Sequence, residues 1–291
     1  MQYNWINNVA NMSSDYTIIE FRNVFNEKIE HNTLPKNLTT LVFGDYFNQK
    51  IEPNTISEKL TTLIFGTLFN QKIESNTLPE NLTTLTFGYK FNQKIESNTL
   101  PENLTTLTFG EHFNQKLGPN TLPENLTSLI FGCGFNQGID PNTLPENLTT
   151  LTFGNYFNQG IDPNTLPKNL TTLRFGFRFN QGIDPNTLPK NLKNIIFDWI
   201  WLDKFDPFKQ YVEMVNNIPN YYHVEIFLVN NIFDNNGPKW PIHVFSYREN
   251  KWLSDIYEIQ AKYKHPRYGS VTVLINKETY QPYSSAKSAL K

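Results

Sequence analysis

Asn81–Asn103 reads N-L-T-T-L-T-F-G-Y-K-F-N-Q-K-I-E-S-N-T-L-P-E-N, and most of the chain restates this stretch. Its Phe91-Asn92 pair recurs at Phe25, Phe47, Phe69, Phe113, Phe135, Phe157 and Phe179, always 22 residues after the last. A fixed period in this range marks a stacked solenoid. Within one unit the apolar positions are Leu82, Leu85, Phe87, Phe91, Ile95 and Leu100, with Thr and Asn between them. The Leu-x-Phe alternation predicts a strand of a few residues with one face buried. Prolines at Pro79, Pro101, Pro123, Pro145, Pro167 and Pro189 lack an amide donor and fix their own φ, so the segment before each strand is expected to be extended or turn-like. Burying six apolar side chains does not offset the entropy lost in ordering 22 residues. Units must therefore stack, each covering the next one's apolar face and pairing its strand.

The other invariant columns have structural readings. Gly44, Gly66, Gly88, Gly110, Gly132, Gly154 and Gly176 follow the strands, where glycine suits either a positive-φ bend or a close backbone approach. The asparagines after each Phe, Asn48 through Asn180, and those before Thr-Leu-Pro, such as Asn76 and Asn98, are expected to cap backbone groups of the adjacent coil.

These residues carry a family resemblance. The pattern L-x-x-L-x-F-x-x-x-F-N-x-x-I at a 22-residue period resembles the FNIP repeat over about residues 15–200. That repeat is a leucine-rich-repeat relative abundant in social amoebae and in giant viruses that infect amoebae. The resemblance implies a leucine-rich-repeat-like solenoid with one short parallel strand per coil and little helix. Many members carry an F-box before the repeats; fewer than twenty residues precede Ile19 here, so that activity is not carried over. Nine strand positions run from Ile19 to Ile195-Ile196-Phe197, giving a parallel sheet about 40 Å long.

The chain has 291 residues, 38% hydrophobic, with formal net charge −2. That balance provides no basic footprint for nucleic acid or an anionic membrane. The single cysteine, Cys133, allows no internal disulfide and sits in a Gly-Cys-Gly turn, which reads as a free thiol in a reducing compartment. No secretory leader and no apolar run long enough to span a bilayer is evident, so the expected location is intracellular and cytoplasmic, the host cytoplasm for a viral chain. Sequons such as Asn37-Leu38-Thr39 and Asn81-Leu82-Thr83 are by-products of the repeat in that setting.

Residues 1–17, with Trp5, Ile6 and Val9, are expected to cap the first coil, and 18–197 to form the solenoid. After Phe197 the period breaks: Asp198 replaces the glycine, and Trp199, Ile200, Trp201 and Leu202 make a bulky apolar seal. Residues 198–291 read as a small α+β domain. A helix start at Asp206-Pro207-Phe208 leads into Gln210–Asn217. Strand-like runs follow at Tyr222–Val229, Trp240–Tyr247, Ile256–Lys264 and Ser270–Ile275, with a polar tail from about Gln281. His223, His243 and His265 form no His-x-x-x-His pair and lie beside no Cys-x-x-Cys, so no metal, cofactor or catalytic residue is assigned.

Recognition is sought in the columns that differ between copies. The two residues between Gly and Phe read Asp45-Tyr46, Thr67-Leu68, Tyr89-Lys90, Glu111-His112, Cys133-Gly134, Asn155-Tyr156 and Phe177-Arg178. Strand residues Val42, Ile64, Thr86, Thr108, Ile130, Thr152 and Arg174 point away from the core and extend this stripe. Aromatic and arginine side chains anchor protein interfaces, which singles out Tyr46, Tyr89, His112, Tyr156, Arg174, Phe177 and Arg178 as partner-binding candidates. A second column changes from Lys50/Glu52, Lys72/Glu74 and Lys94/Glu96 to Gly138/Asp140, Gly160/Asp162 and Gly182/Asp184. Lys50 is expected to lie diagonally near Glu74, and Lys72 near Glu96. Asp140, Asp162 and Asp184 would align along the stack, but the glycine-rich calcium motif of β-roll repeats is absent.

Three function classes follow. The leading one is a non-enzymatic scaffold that presents the stripe to a protein partner. The others are a self-assembling structural protein pairing through coil ends or strand edges, and an enzyme with its site in 198–291.

Overall fold

The structure, a computed structural model, describes residues 13–200 and strands at Asn4–Ile6, His223–Val229, Ile242–Arg248, Lys251–Trp252, Ala261–His265 and Gly269–Val273. One strand forms per repeat: β2 (Ile18–Phe21), β3 (Thr40–Val42), β4 (Thr62–Ile64), β5 (Thr84–Thr86), β6 (Thr106–Thr108), β7 (Ser128–Ile130), β8 (Thr150–Thr152), β9 (Thr172–Phe175) and β10 (Asn194–Ile200). Each pairs in parallel with the next in unshifted 22-residue register, as in Leu41↔Leu63 and Leu85↔Leu107. Between strands the described chain runs through turns and extended segments, with a 3-10 turn at Pro185–Thr187. The result is a parallel β-solenoid, as the period requires.

The strands are short because only the central Leu of each Thr-Leu-x triplet is buried, its neighbours remaining half-buried. All six apolar positions read from the repeat enter the core; in the quoted unit Leu82, Leu85, Phe87, Phe91, Ile95 and Leu100 are each at most 5% exposed. The two phenylalanines of a coil stack face to face, 3.8 Å between centroids for Phe87 and Phe91. The rings also stack between coils, 5.7 Å from Phe87 to Phe109 and 6.1 Å from Phe91 to Phe113. Two phenyl columns therefore run the length of the solenoid, each ring gripped within its coil and by the coils above and below.

Of the two readings of glycine, the structure selects close approach. A Cβ at Gly88 would meet the Gly66 carbonyl closer than the 3.0 Å that real Cβ atoms keep, and Gly44, Gly66, Gly110, Gly132, Gly154 and Gly176 repeat the collision with the coil before. The positive-φ positions are instead asparagines: Asn32, Asn54, Asn76, Asn98, Asn120, Asn142 and Asn164 lie between 54° and 63°. Asn76 and Asn98 were expected to cap an adjacent coil; they serve as left-handed turn residues, which Asn tolerates better than other non-glycine residues. The asparagines after Phe do cap. Asn70 Oδ1 accepts the backbone N–H of Asn92 at 2.9 Å and the side-chain amide of Gln93 at 3.1 Å, and the pattern repeats from Asn26 to Asn180.

At its ends the sheet continues. β1 (Asn4–Ile6) pairs in parallel with β2, Trp5 opposite Glu20. β11 (His223–Val229) pairs in parallel with β10, β12 (Ile242–Arg248) antiparallel with β11, and β13 (Lys251–Trp252) with β12. β14 (Ala261–His265) and β15 (Gly269–Val273) form a separate antiparallel hairpin. Described strands overlap each of the four runs read after residue 220; the first part of the run expected at Ile256–Lys264, up to residue 260, lies outside the described residues. The helix expected around Gln210–Asn217 and the tail from Gln281 lie outside the described residues.

The lysine column corrects an expectation. Lys50 pairs with Glu52 at 3.3 Å, Lys72 with Glu74 at 3.2 Å and Lys94 with Glu96 at 2.9 Å, all within one coil. In an extended segment residues i and i+2 share a face, so the nearer partner wins over the diagonal one. Lys116, whose own coil has Gly118 at the acidic position, reaches across to Asp140 at 2.8 Å.

Candidate functional site: a turn column along the solenoid

After each strand the buried Phe, the tight Gly and the next buried Phe leave only two residues free to face outward, and these form a turn. The turns are bonded to one another. The N–H of the second turn residue donates to the carbonyl of the first turn residue one coil earlier: Leu68 to Asp45, Lys90 to Thr67, His112 to Tyr89, Tyr156 to Cys133 and Arg178 to Asn155, at 2.8 to 3.1 Å. This second backbone ladder holds a column of changing side chains on a fixed frame.

The exposed apolar surface gathers here. Among the described residues the large hydrophobic side chains left exposed are Val24 (76%), Tyr46 (57%), Leu68 (36%), Tyr89 (47%) and Tyr156 (40%), and every one belongs to this turn column. Tyr89 and His112 touch across one coil step, 4.6 Å between ring centroids, with the Lys90 ammonium 5.5 Å from the Tyr89 ring. Further along, Arg178 lies 4.2 Å above the Tyr156 ring and 5.9 Å from Phe177, whose ring meets Tyr156 edge-on at 6.4 Å. Between these groups lies Cys133-Gly134, where side-chain bulk is least.

The sequence-predicted residues fall into two clusters and a flank: Tyr89 with His112, Tyr156 with Phe177 and Arg178, and Tyr46 toward the start. Arg174 lies on β9, half-buried, and Phe177 is half-buried at its turn. Sequence reasoning passed over Val24, Leu68 and Lys90. Val24 was legible, since it stands directly before Phe25 as Tyr46 stands before Phe47. Leu68 and Lys90 were set aside for residue type, although position rather than type makes them exposed.

The polar groups of the column serve its frame. Asp45 Oδ1 accepts from the Thr67 hydroxyl at 2.6 Å, and Glu111 Oε2 accepts the Cys133 N–H at 2.9 Å. Burial pushes the Cys133 thiol up, and the Glu111 carboxylate adds to the rise, against hydrogen bonding with Asn155. The thiol is thus poorly suited as a nucleophile, which must be a thiolate. Among the described residues no group of three or more His, Cys, Asp or Glu is placed to hold a metal ion, and no helix is long and apolar enough to cross a membrane.

This architecture defines a leucine-rich-repeat-like β-solenoid. The FNIP Repeat family matches six overlapping stretches, 25–68, 47–90, 69–112, 91–134, 112–156 and 135–178, and the chain belongs to that family. Among solved structures it is similar to CroV588 of the giant virus CroV, described as a novel circular LRR protein, at 40% sequence identity and a TM-score of 0.59. The match covers 78% of this chain and 36% of that one, so this chain spans about a third of the length of that relative. No curated protein matches the chain.

Proposed function

We propose that the protein is a non-enzymatic interaction scaffold whose turn column docks a protein partner. The observation that carries this reading is that, among the described residues, the exposed large apolar side chains are confined to one column. Apolar patches rimmed by polar residues mark interaction sites. Because the column is bonded coil to coil, its side chains are presented with little backbone entropy left to lose on docking. The proposal places the protein in the cytoplasm, that of an amoebal host for a viral chain, where Cys133 stays reduced.

The test is quantitative capture of partners from amoebal lysate by the intact protein, by a variant with Tyr46, Tyr89, Tyr156 and Arg178 changed to Ala, and by a control with Lys50, Lys72 and Lys94 changed to Ala. Partners lost by the first variant and kept by the control support the reading, provided circular dichroism shows both folded. Equal partner lists from all three proteins refute it.

A further inference from the structure

Resting on that reading, we infer that the segment docked on the turn column is acidic as well as apolar. The cations of the turn pairs, Lys90 and Arg178, are exposed and form no ion pair among the described residues; the same holds for Arg22, at the glycine position of the first coil, and for Lys36 and Lys59 outside the column, whereas Lys50, Lys72, Lys94 and Lys116 each meet a carboxylate. The acidic residues of the turn pairs are hydrogen-bonded within the frame: Asp45 accepts from Thr67 and Glu111 accepts from Cys133.

Two of these cations stand beside exposed tyrosines, Lys90 by Tyr89 and Arg178 over Tyr156. Each pair offers an aromatic face for an apolar side chain and N–H donors for a carboxylate. Arg178 keeps its planar donors available while its cationic face rests on the ring. Lys90 and Arg178 stand in turns four coils apart, about 19 Å at the usual strand spacing. An extended partner covers that span in about six residues, at roughly 3.3 Å each. Alternation puts residues i, i+2, i+4 and i+6 on one face, so acidic groups at i and i+6 reach the two cations while the i+2 and i+4 side chains fall on either side of the low ground at Cys133-Gly134. The occupant is therefore an extended peptide segment with carboxylates spaced six residues apart and apolar residues between them.

The probe is a random dodecapeptide display library selected on the full chain, followed by fluorescence anisotropy on the recovered peptides. Binding is compared for the intact protein, for Tyr89→Ala/Tyr156→Ala and for Lys90→Gln/Arg178→Gln. Recovered peptides should be net acidic with that spacing, should weaken about tenfold or more on either double substitution, as loss of hot-spot contacts does, and should weaken further as salt is raised. Peptides that need the tyrosines but are neutral or basic and indifferent to Lys90 and Arg178 overturn the acidic assignment and leave the docking column standing. No recovered peptide, or peptides indifferent to the tyrosines, overturns the column as well. Preference of the same surface for a single-stranded oligonucleotide over the peptides also overturns the inference.

Discussion

Gly88→Ala and Gly138→Ala make the same chemical change at two sites with opposite surroundings. At Gly88 the added methyl falls on the Gly66 carbonyl, with the Phe65 carbonyl oxygen 3.1 Å away, and at Gly138 nothing lies within 4 Å. Backbone atoms cannot swing aside as a side-chain end can, so relief at Gly88 must come from separating the strands of two coils. Overpacking of this kind costs about 1–3 kcal/mol. At Gly138 the alanine narrows the unfolded ensemble and stabilises by about 0.4–1 kcal/mol. In a domain of this size 1 kcal/mol moves the melting temperature by about 2–4 °C. Gly88→Ala should therefore melt roughly 2–12 °C lower and Gly138→Ala up to about 4 °C higher. Because neighbouring coils hold one another, a weakened junction in the middle of the array should also broaden the transition. The assay is thermal unfolding by circular dichroism at one scan rate for the wild type and both variants. Equal melting temperatures for the two alanine variants would refute the close-approach account of the glycine column.

Asn70→Ala removes the acceptor for the Asn92 N–H and the Gln93 amide, and denaturant titration should show a loss of about 1–3 kcal/mol; Asn70→Asp, which keeps the acceptor oxygens, should lose much less. Phe91→Ala empties a fully buried place in the phenyl column and should cost about 3–5 kcal/mol in the same titration. The Cys133 thiol is held above its ordinary value chiefly by burial, so it is largely protonated at neutral pH. Alkylation by iodoacetamide should be slower than for an unstructured thiol of the same peptide, and should quicken as pH rises toward the displaced value. Glu111→Gln removes a charge that opposes the thiolate and should shift that rate profile to lower pH, measured by mass spectrometry of the modified chain.

The repeat made the architecture legible because every coil restates it. The period, the Leu-Thr-Phe alternation and the invariant Phe-Asn pair together imposed stacked parallel strands with two phenylalanines inside each coil. What the repeat could not show is whether an invariant residue acts along the chain or across the stack, because residue i+22 is as near as residue i+2. Glycine was legible as special, yet only the structure shows that its neighbour is the carbonyl of the coil before. Asn76 and Asn92 looked alike in sequence; one turns the backbone and the other continues a hydrogen-bonded ladder. Lys50 had Glu52 and Glu74 as plausible partners, and proximity within the coil decided between them. In the turn column the aromatic and arginine residues singled out from sequence lie in two groups, Tyr89 with His112 and Tyr156 with Phe177 and Arg178, while Val24 and Leu68 show that exposure follows position.

The asparagine ladder always runs in one direction, the side-chain oxygen of one coil receiving the amide of the next. As far as the ladder goes, the upper edge of each such coil is thereby matched to the lower edge of the others that carry the Phe-Asn pair. Insertion or loss of one 22-residue copy within the run is expected to leave the ladder unbroken. Each such event also adds or removes one turn pair, giving the molecule a different outward inscription in a single genetic step.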